Sequence, residues 1–250
     1  MDWSQALRFD ESIISGELII SLLILLAISI FAIVVHFKFK HADPEKPEKG
    51  FVLVLACLVE KLESFVIDNM GRKWRPFTGY VMAVGAYIFI CFIVGISGLP
   101  NPLVSLAFPL SIGLISFLMI HITAAKANKL GYFKRYIEPI PVLLPINLLS
   151  MWAPLLSLSL RLFGNALAGY CLMSIVYYFT EQLSALIFQF INSGVNQIFV
   201  SWIITPALHA YFDVFSGAIQ TMVFVILTMI WVSQEDPEEE VEEQSSLIPA

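Results

Sequence analysis

The sequence predicts an all-α membrane protein with five spans, the last two long and tilted, plus one amphipathic helix lying in the membrane plane. Three observations carry that prediction. The 250 residues are 58% hydrophobic and only 14% charged, whereas soluble domains are about a quarter charged. Apolar runs recur that are long enough to cross ~30 Å of hydrocarbon. Lys and Arg gather between those runs, where they set orientation in a bilayer. The net charge of −6 is concentrated in the acidic tail over 233–250, whose acids run from Glu235 to Glu243. Such a tail reads as solvated and disordered. It offers no basic patch, which argues against nucleic acid as a partner.

The first span is expected over 17–37. Asp2, Asp10 and Glu11 precede it, with Arg8 the only base, and Lys38 and Lys40 follow. A secretory signal would start with bases and have a shorter apolar core. The positive-inside rule places the N-terminus outside and Lys38 inside. "HADPEKPEKG", from His41 to Gly50, is a polar linker. Over 51–70, Leu55, Leu58, Val59, Leu62, Phe65 and Val66 recur at helical spacing with Glu60, Lys61, Glu63 and Asp68 between them. That pattern suits a helix lying in the interface. "GRKWRP", Gly71 to Pro76, adds three inner bases.

From Phe77 to Ala125 there is no Asp, Glu, Lys or Arg. "SGLPNP", Ser97 to Pro102, breaks this stretch into spans over 77–97 and 103–125. Lys126, Lys129, Lys134 and Arg135 mark the inner side again. Two longer apolar segments follow, 139–191 and 195–232, each beyond what a perpendicular crossing needs, so both are expected to tilt or kink. Pro145, Pro154 and Pro206 offer kink points. The C-terminus then ends inside. No repeat is visible, which disfavours an inverted-repeat transporter.

The last two segments carry the unusual chemistry. Beyond Arg135 the only base is Arg161. A charge at bilayer depth costs at least ~3 kcal/mol, so it implies a partner or a wet path. Ser157, Arg161, Gly164, Asn165 and Ala168 share one helical face. Small residues there permit close approach of another helix. A guanidinium stays charged in a protein, so it can hold a passing carboxylate in its ionised form. In the last segment Asp213, Ser216 or Gly217, and Gln220 share a face, with His209 one turn earlier. A carboxylate, an imidazole and an amide together can relay protons.

Plainer readings stand beside these. Arg161 and Asp213 could form a static ion pair. His209 could be a satisfied packing residue, and Glu181 wetted surface. His36 and His121 read as interfacial. Cys57, Cys91 and Cys171 fit no disulfide or zinc framework and read as small hydrophobes. No metal site is predicted.

"SLSLRLFGN" (Ser157 to Asn165), followed by the "AG" of Ala168 and Gly169, closely resembles the signature of subunit a of the rotary F-type ATP synthase. "AIQTMVFVILTMIWV" (Ala218 to Val232) resembles that family's last helix. "GISGLPNP" is similar to its middle turn, and "EPIPVLLPINLLS" (Glu138 to Ser150) to the approach to its arginine helix. The resemblance covers roughly Phe77 to Val232. It implies a stator beside a rotating ring of c subunits, with two half-channels leading ions to and from the ring carboxylates. Arg161 would separate the half-channels, and Asn165, Asp213, Gln220, His209, Tyr170 and Ser150 would belong to the path. The implied ion is H⁺, with Na⁺ as an alternative.

The implied partners are the c-ring, peripheral-stalk b subunits, other ATP synthase subunits and the lipid bilayer. No cofactor and no nucleotide chemistry are implied. The expected location is a bacterial plasma membrane, with a mitochondrial inner or plastid membrane as alternatives. Two departures stand out. Bacterial members commonly have Glu where this chain has Tyr170, and the acid here is Asp213, one helix away. Members often have Glu on the inner approach, where Ser150 and Met151 stand. A self-contained secondary transporter and a purely structural anchor subunit are the alternative functions.

Overall fold

A computed structural model describes residues 15–40, 50–128, 144–187 and 199–235. The predicted linker over 41–49, the acidic tail over 236–250, and the parts of the long segments at 139–143, 188–191 and 195–198 lie outside the described residues. Within them every regular element is helical. Five stretches are long and apolar enough to cross a membrane: Gly16–Lys40, Arg72–Ile96, Ala107–Ala127, Leu149–Ile187 and Val200–Gln234. The chain is an all-α, multi-pass membrane protein.

Helix α1 spans Gly16–Lys40 and α2 spans Phe51–Met70. Gly71 ends α2 at φ 89°, a left-handed conformation that glycine adopts without strain, and its N–H donates to the Ile67 carbonyl at 2.8 Å. A 3₁₀ turn over Arg72–Phe77 leads into α3, Thr78–Ile96. The turn after α3 holds Gly98 at φ 72°. The Asn101 side chain then accepts from the Leu103 N–H at 2.9 Å and starts a short 3₁₀ turn, Pro102–Val104. Helix α4 is Ala107–Asn128, and α5 is one helix of 44 residues, Leu144–Ile187. Pro154 lies inside α5 without ending it. At 1.5 Å per residue α5 is about 66 Å long, roughly twice the hydrocarbon thickness.

The last segment is not one regular helix. Helix α6, Phe199–His209, passes into a π-helical stretch, Ala210–Phe215, and then into α7, Ser216–Gln234. Pro206 lies one turn before the stretch and has no N–H to give the helical ladder. Widened turns of this kind are frequent at functional sites, and this one contains Asp213.

Two apolar clusters hold the bundle together, and α3, α4 and α7 contribute to both. One joins Ile24 of α1, Ile88 and Phe92 of α3, Leu158 and Leu162 of α5, and Phe224 of α7. The other joins Val66 and Met70 of α2 to Val81 of α3 and to Val225, Met229 and Val232 of α7. Helix α2 therefore packs its apolar face on the end of α7. In a membrane, where lipid is as apolar as leucine, close packing and hydrogen bonds replace the hydrophobic drive. Both are present here. A Cβ on Gly217 would stand 2.7 Å from Phe92, so only glycine lets α3 and α7 approach this closely. Ser21 and Tyr87 share a hydrogen bond of 2.7 Å between α1 and α3, and Tyr80 and Ser116 one of 2.6 Å between α3 and α4.

Candidate functional site: the seam of α5 with α6 and α7

The polar side chains of the last helices gather where α5 meets α6, the π-helical stretch and α7. Asp213 stands one turn beyond His209, and its Oδ2 lies 2.5 Å from His209 Nδ1. On the far side of the ring, His209 Nε2 lies 2.7 Å from Tyr177 Oη of α5. An ionised carboxylate can only accept. Beside an ionised Asp213 the His209 Nδ1–H donates to the carboxylate, and Nε2 faces the tyrosine hydroxyl, which can give or take a proton. The result is a continuous hydrogen-bonded chain, Tyr177–His209–Asp213. The His209 and Asp213 side chains are each 18% exposed, while Tyr177 is 43% exposed, so the chain runs from an open surface to a sheltered acid. The Asp213 carboxylate lies 3.7 Å from where a Cβ on Gly95 would stand, against the last turn of α3.

One turn further along, Asn165 of α5 and Ser216 of α7 face each other. The Asn165 Nδ2 donates to Ser216 Oγ at 3.1 Å, and the Ser216 hydroxyl reaches Asn165 Oδ1 at 3.2 Å. Ser216 and Gly217, alternatives for one stripe in the sequence, take separate tasks: Ser216 meets α5, while Gly217 meets Phe92 of α3. Gln220, the next polar residue, is buried, and its Nε2 has no hydrogen-bond partner among the described residues.

Arg161 lies one turn from Asn165 on α5. Its Nη2 donates to Ser157 Oγ, one turn back, at 3.1 Å. Arg161, Gly164 and Ala168 are all exposed. Among the described residues no ion pair joins Arg161 to Asp213; Arg161 is held by Ser157, and Asp213 by His209. The static-pair reading is therefore not what the structure shows. His209 is satisfied on both ring nitrogens, by the two groups that a relay would use.

The remaining sequence candidates sit elsewhere. Tyr170 is 53% exposed and Ser150 is exposed, with its hydroxyl donating to the Ile146 carbonyl of its own helix at 3.0 Å. Neither joins the seam cluster. Glu181 is exposed. His121 stacks near Phe117, with centroids 3.9 Å apart, and Phe117 stacks on Trp152 of α5. Tyr177 was not singled out in the sequence. The available signal was its place on one face with Tyr170 and Ser174, at i, i+4 and i+7.

Together these features define a class: a multi-pass helical membrane protein with a hydrogen-bonded polar seam between its last helices and a fixed positive charge on an open helix face. The family model described as ATP synthase A chain matches residues 5–233. The chain is similar to ATP synthase subunit a of Mycoplasmoides gallisepticum, 31% identical over 243 residues, covering 92% of this chain and 82% of that one. It is similar to ATP synthase subunit a of Mycoplasma genitalium, at 32% identity, covering 88% and 82%. It also resembles the sodium ion specific ATP synthase subunit a of Propionigenium modestum, 35% identical over 102 residues, covering 41% and 28%. The chain belongs to the ATP synthase A chain family. It is an integral membrane subunit of an ATP synthase, a protein of ATP synthesis and ion transport.

Proposed function

We propose that this chain is the stator of the ion path, forming two half-channels against a rotating c-ring and turning ion flow into rotation. The observation that carries this reading is the placing of Arg161. A permanent charge stands on an exposed, small-residue face of a membrane helix, held among the described residues by a serine hydroxyl. A charge in that position needs an electrostatic partner, and none stands there among the described residues. A ring carboxylate passing along the face meets that need. Ionised beside Arg161, it cannot carry its proton directly from one half-channel to the other.

The seam supports a half-channel on the outer side. Tyr177, His209 and Asp213 are joined through exchangeable protons, which fits H⁺ as the ion. Ser216, Asn165 and Gln220 continue the polar groups toward the level of Arg161. Ser150 lies 11 residues before Arg161 on α5, about 16 Å along the axis, and belongs to the inner approach. One charge crossing 100 mV releases about 2.3 kcal/mol, so several ions pass for each ATP made. The open face of α5 receives the c-ring. The exposed sides of α1, with Leu22, Leu26 and Phe31, are left for lipid and for peripheral-stalk b subunits. The N-terminus lies outside and the C-terminus inside, in a bacterial plasma membrane; Lys126→Cys would be labelled only from the inner side.

Arg161→Ala in the reconstituted complex tests the mechanism. The expected result is an assembled complex with no proton-driven ATP synthesis and a passive proton leak. Arg161→Lys fails as well, because an ammonium can lose its proton and lacks the planar fork of donors. Normal synthesis by the alanine variant would overturn the mechanism.

A further inference from the structure

We propose that Glu181 collects protons for the Tyr177–His209–Asp213 chain at the outer entrance of the path, an inference that rests on reading the seam as a half-channel. Glu181 and Asp213 are the only carboxylates between Arg161 and Gln234. They flank the Tyr177–His209 contact that joins α5 to α6. Tyr177 and Glu181 stand one turn apart on α5, an i, i+4 pair with Cβ atoms about 5–6 Å apart. A helical side chain leans toward the N-terminus of its helix, so Glu181 leans over the turn that carries Tyr177. Exposure falls in the same order: Glu181 is exposed, Tyr177 is 43% exposed, and His209 and Asp213 are 18% exposed. Ionisable groups are rare against lipid, so an exposed carboxylate marks water at that level of α5.

No structural task holds Glu181. It has no hydrogen bond or ion pair among the described residues, and no Lys or Arg follows Arg161 in the chain. The buried hydroxyls nearby are spent on their own helices: Thr180 donates to the Val176 carbonyl at 2.8 Å, and Thr205 to the Ser201 carbonyl at 2.8 Å. Neither offers a rail of its own between α5 and α6, which leaves the surface side with Glu181. The transfer balances. Protonated Glu181 gives its proton, directly or through water, to Tyr177 Oη, which passes its own to His209 Nε2. His209 releases the Nδ1 proton to Asp213 Oδ2, and a half-turn of the ring restores the first tautomer. Supply makes a collector useful. At neutral pH, protons at about 10⁻⁷ M and a diffusion limit of about 10¹⁰ M⁻¹s⁻¹ load one acid about 10³ times per second at most. Turnover numbers of about 1–10³ s⁻¹ with several ions per ATP come close to that ceiling.

A mobile buffer replaces a collector, and that gives the test. Proteoliposomes of the intact complex, with the outer side of the subunit facing the enclosed solution, would be driven by a potassium diffusion potential. The enclosed solution would stand at about pH 8 with about 1 mM or about 50 mM imidazole, since free protons are then scarcest. Glu181→Gln should lower ATP synthesis about fivefold in dilute buffer and by under about twofold in concentrated buffer, where imidazole carries the protons. Glu181→Asp should keep most of the rate in both. Equal synthesis by wild type and Glu181→Gln in dilute buffer would overturn the proposal, because protons would then reach Asp213 past Gly95 without help. An equal loss in both buffers would overturn it too, leaving Glu181 a positioning residue. Asp213→Asn run beside it separates the two readings. A loss that no buffer restores keeps the half-channel whatever Glu181 does; an unchanged rate removes the half-channel and this inference with it.

Discussion

The α3–α7 seam and the open face of α5 use the same residue types to opposite ends. Both carry glycine inside an apolar helix. At the seam, Gly217 meets Phe92 so closely that a Cβ would stand 2.7 Å away, and Gly85 lies against Val225 and Thr221. On α5, Gly164 has nothing within 4 Å, and its neighbours Leu160, Arg161 and Ala168 are exposed. Small residues on a membrane helix invite a neighbour. Along α3 and α7 the neighbour is this chain. Along α5 no neighbour stands among the described residues, and a charge waits on the same face. A bare glycine face therefore separates packing within the subunit from a surface left for a partner.

The comparison breaks most sharply at Gly217. Gly217→Ala should cost at least the ~3 kcal/mol at the upper end of ordinary overpacking, because the clash falls on Phe92 near its own backbone. The expected outcome is loss of the subunit from purified complex, read by immunoblot. Gly164→Trp should do the reverse: the chain accumulates normally, while ATP synthesis falls more than tenfold because the ring is held off. Near-normal synthesis with tryptophan at 164 would remove the open face from the coupling surface.

A smaller effect is expected where the seam carries chemistry. Asp213→Asn keeps the shape of the side chain and its contact with α3 but cannot hold the proton. ATP-driven proton pumping, followed with a pH-sensitive dye, should slow about tenfold in a complex that still assembles. Unchanged pumping would reduce the Tyr177–His209–Asp213 chain to packing. The smallest effect belongs to the α4–α5 contact. A Cβ on Gly113 would lie 2.2 Å from Ser159 Oγ, but a hydroxyl can turn away. Gly113→Ala should cost about 1–3 kcal/mol, and adding Ser159→Ala should recover most of it; thermal stability of the solubilised complex measures both.

Five apolar stretches of spanning length require membrane helices, because a backbone in lipid must satisfy its own hydrogen bonds. Length and hydropathy are local properties, so they can be read along the chain. The same holds for the outlying charges: Arg161 and Asp213 stand out because almost nothing near them in sequence is charged. The π-helical stretch was not readable. The sequence offered a long segment over 195–232 that tilts or kinks, with Pro206 as a kink point, but one extra residue in a turn leaves no mark on an apolar pattern.

Partnership was beyond the sequence for the same reason. An Arg and an Asp alone among apolar residues suggest each other, yet Asp213 is held by His209 on its own helix and Arg161 by Ser157 on its own. Tyr177 joined the chain through a contact with a residue 32 positions away, and Asn165 found Ser216 at a separation of 51. Composition and spacing determined the class of protein, the number of spans and the residues too costly to bury without purpose, since each follows from the free energy of placing a group in lipid. Tertiary structure alone decided which of those residues meet, which glycines are filled and which face stays open, because helix rotation and crossing depend on packing between segments far apart in the chain.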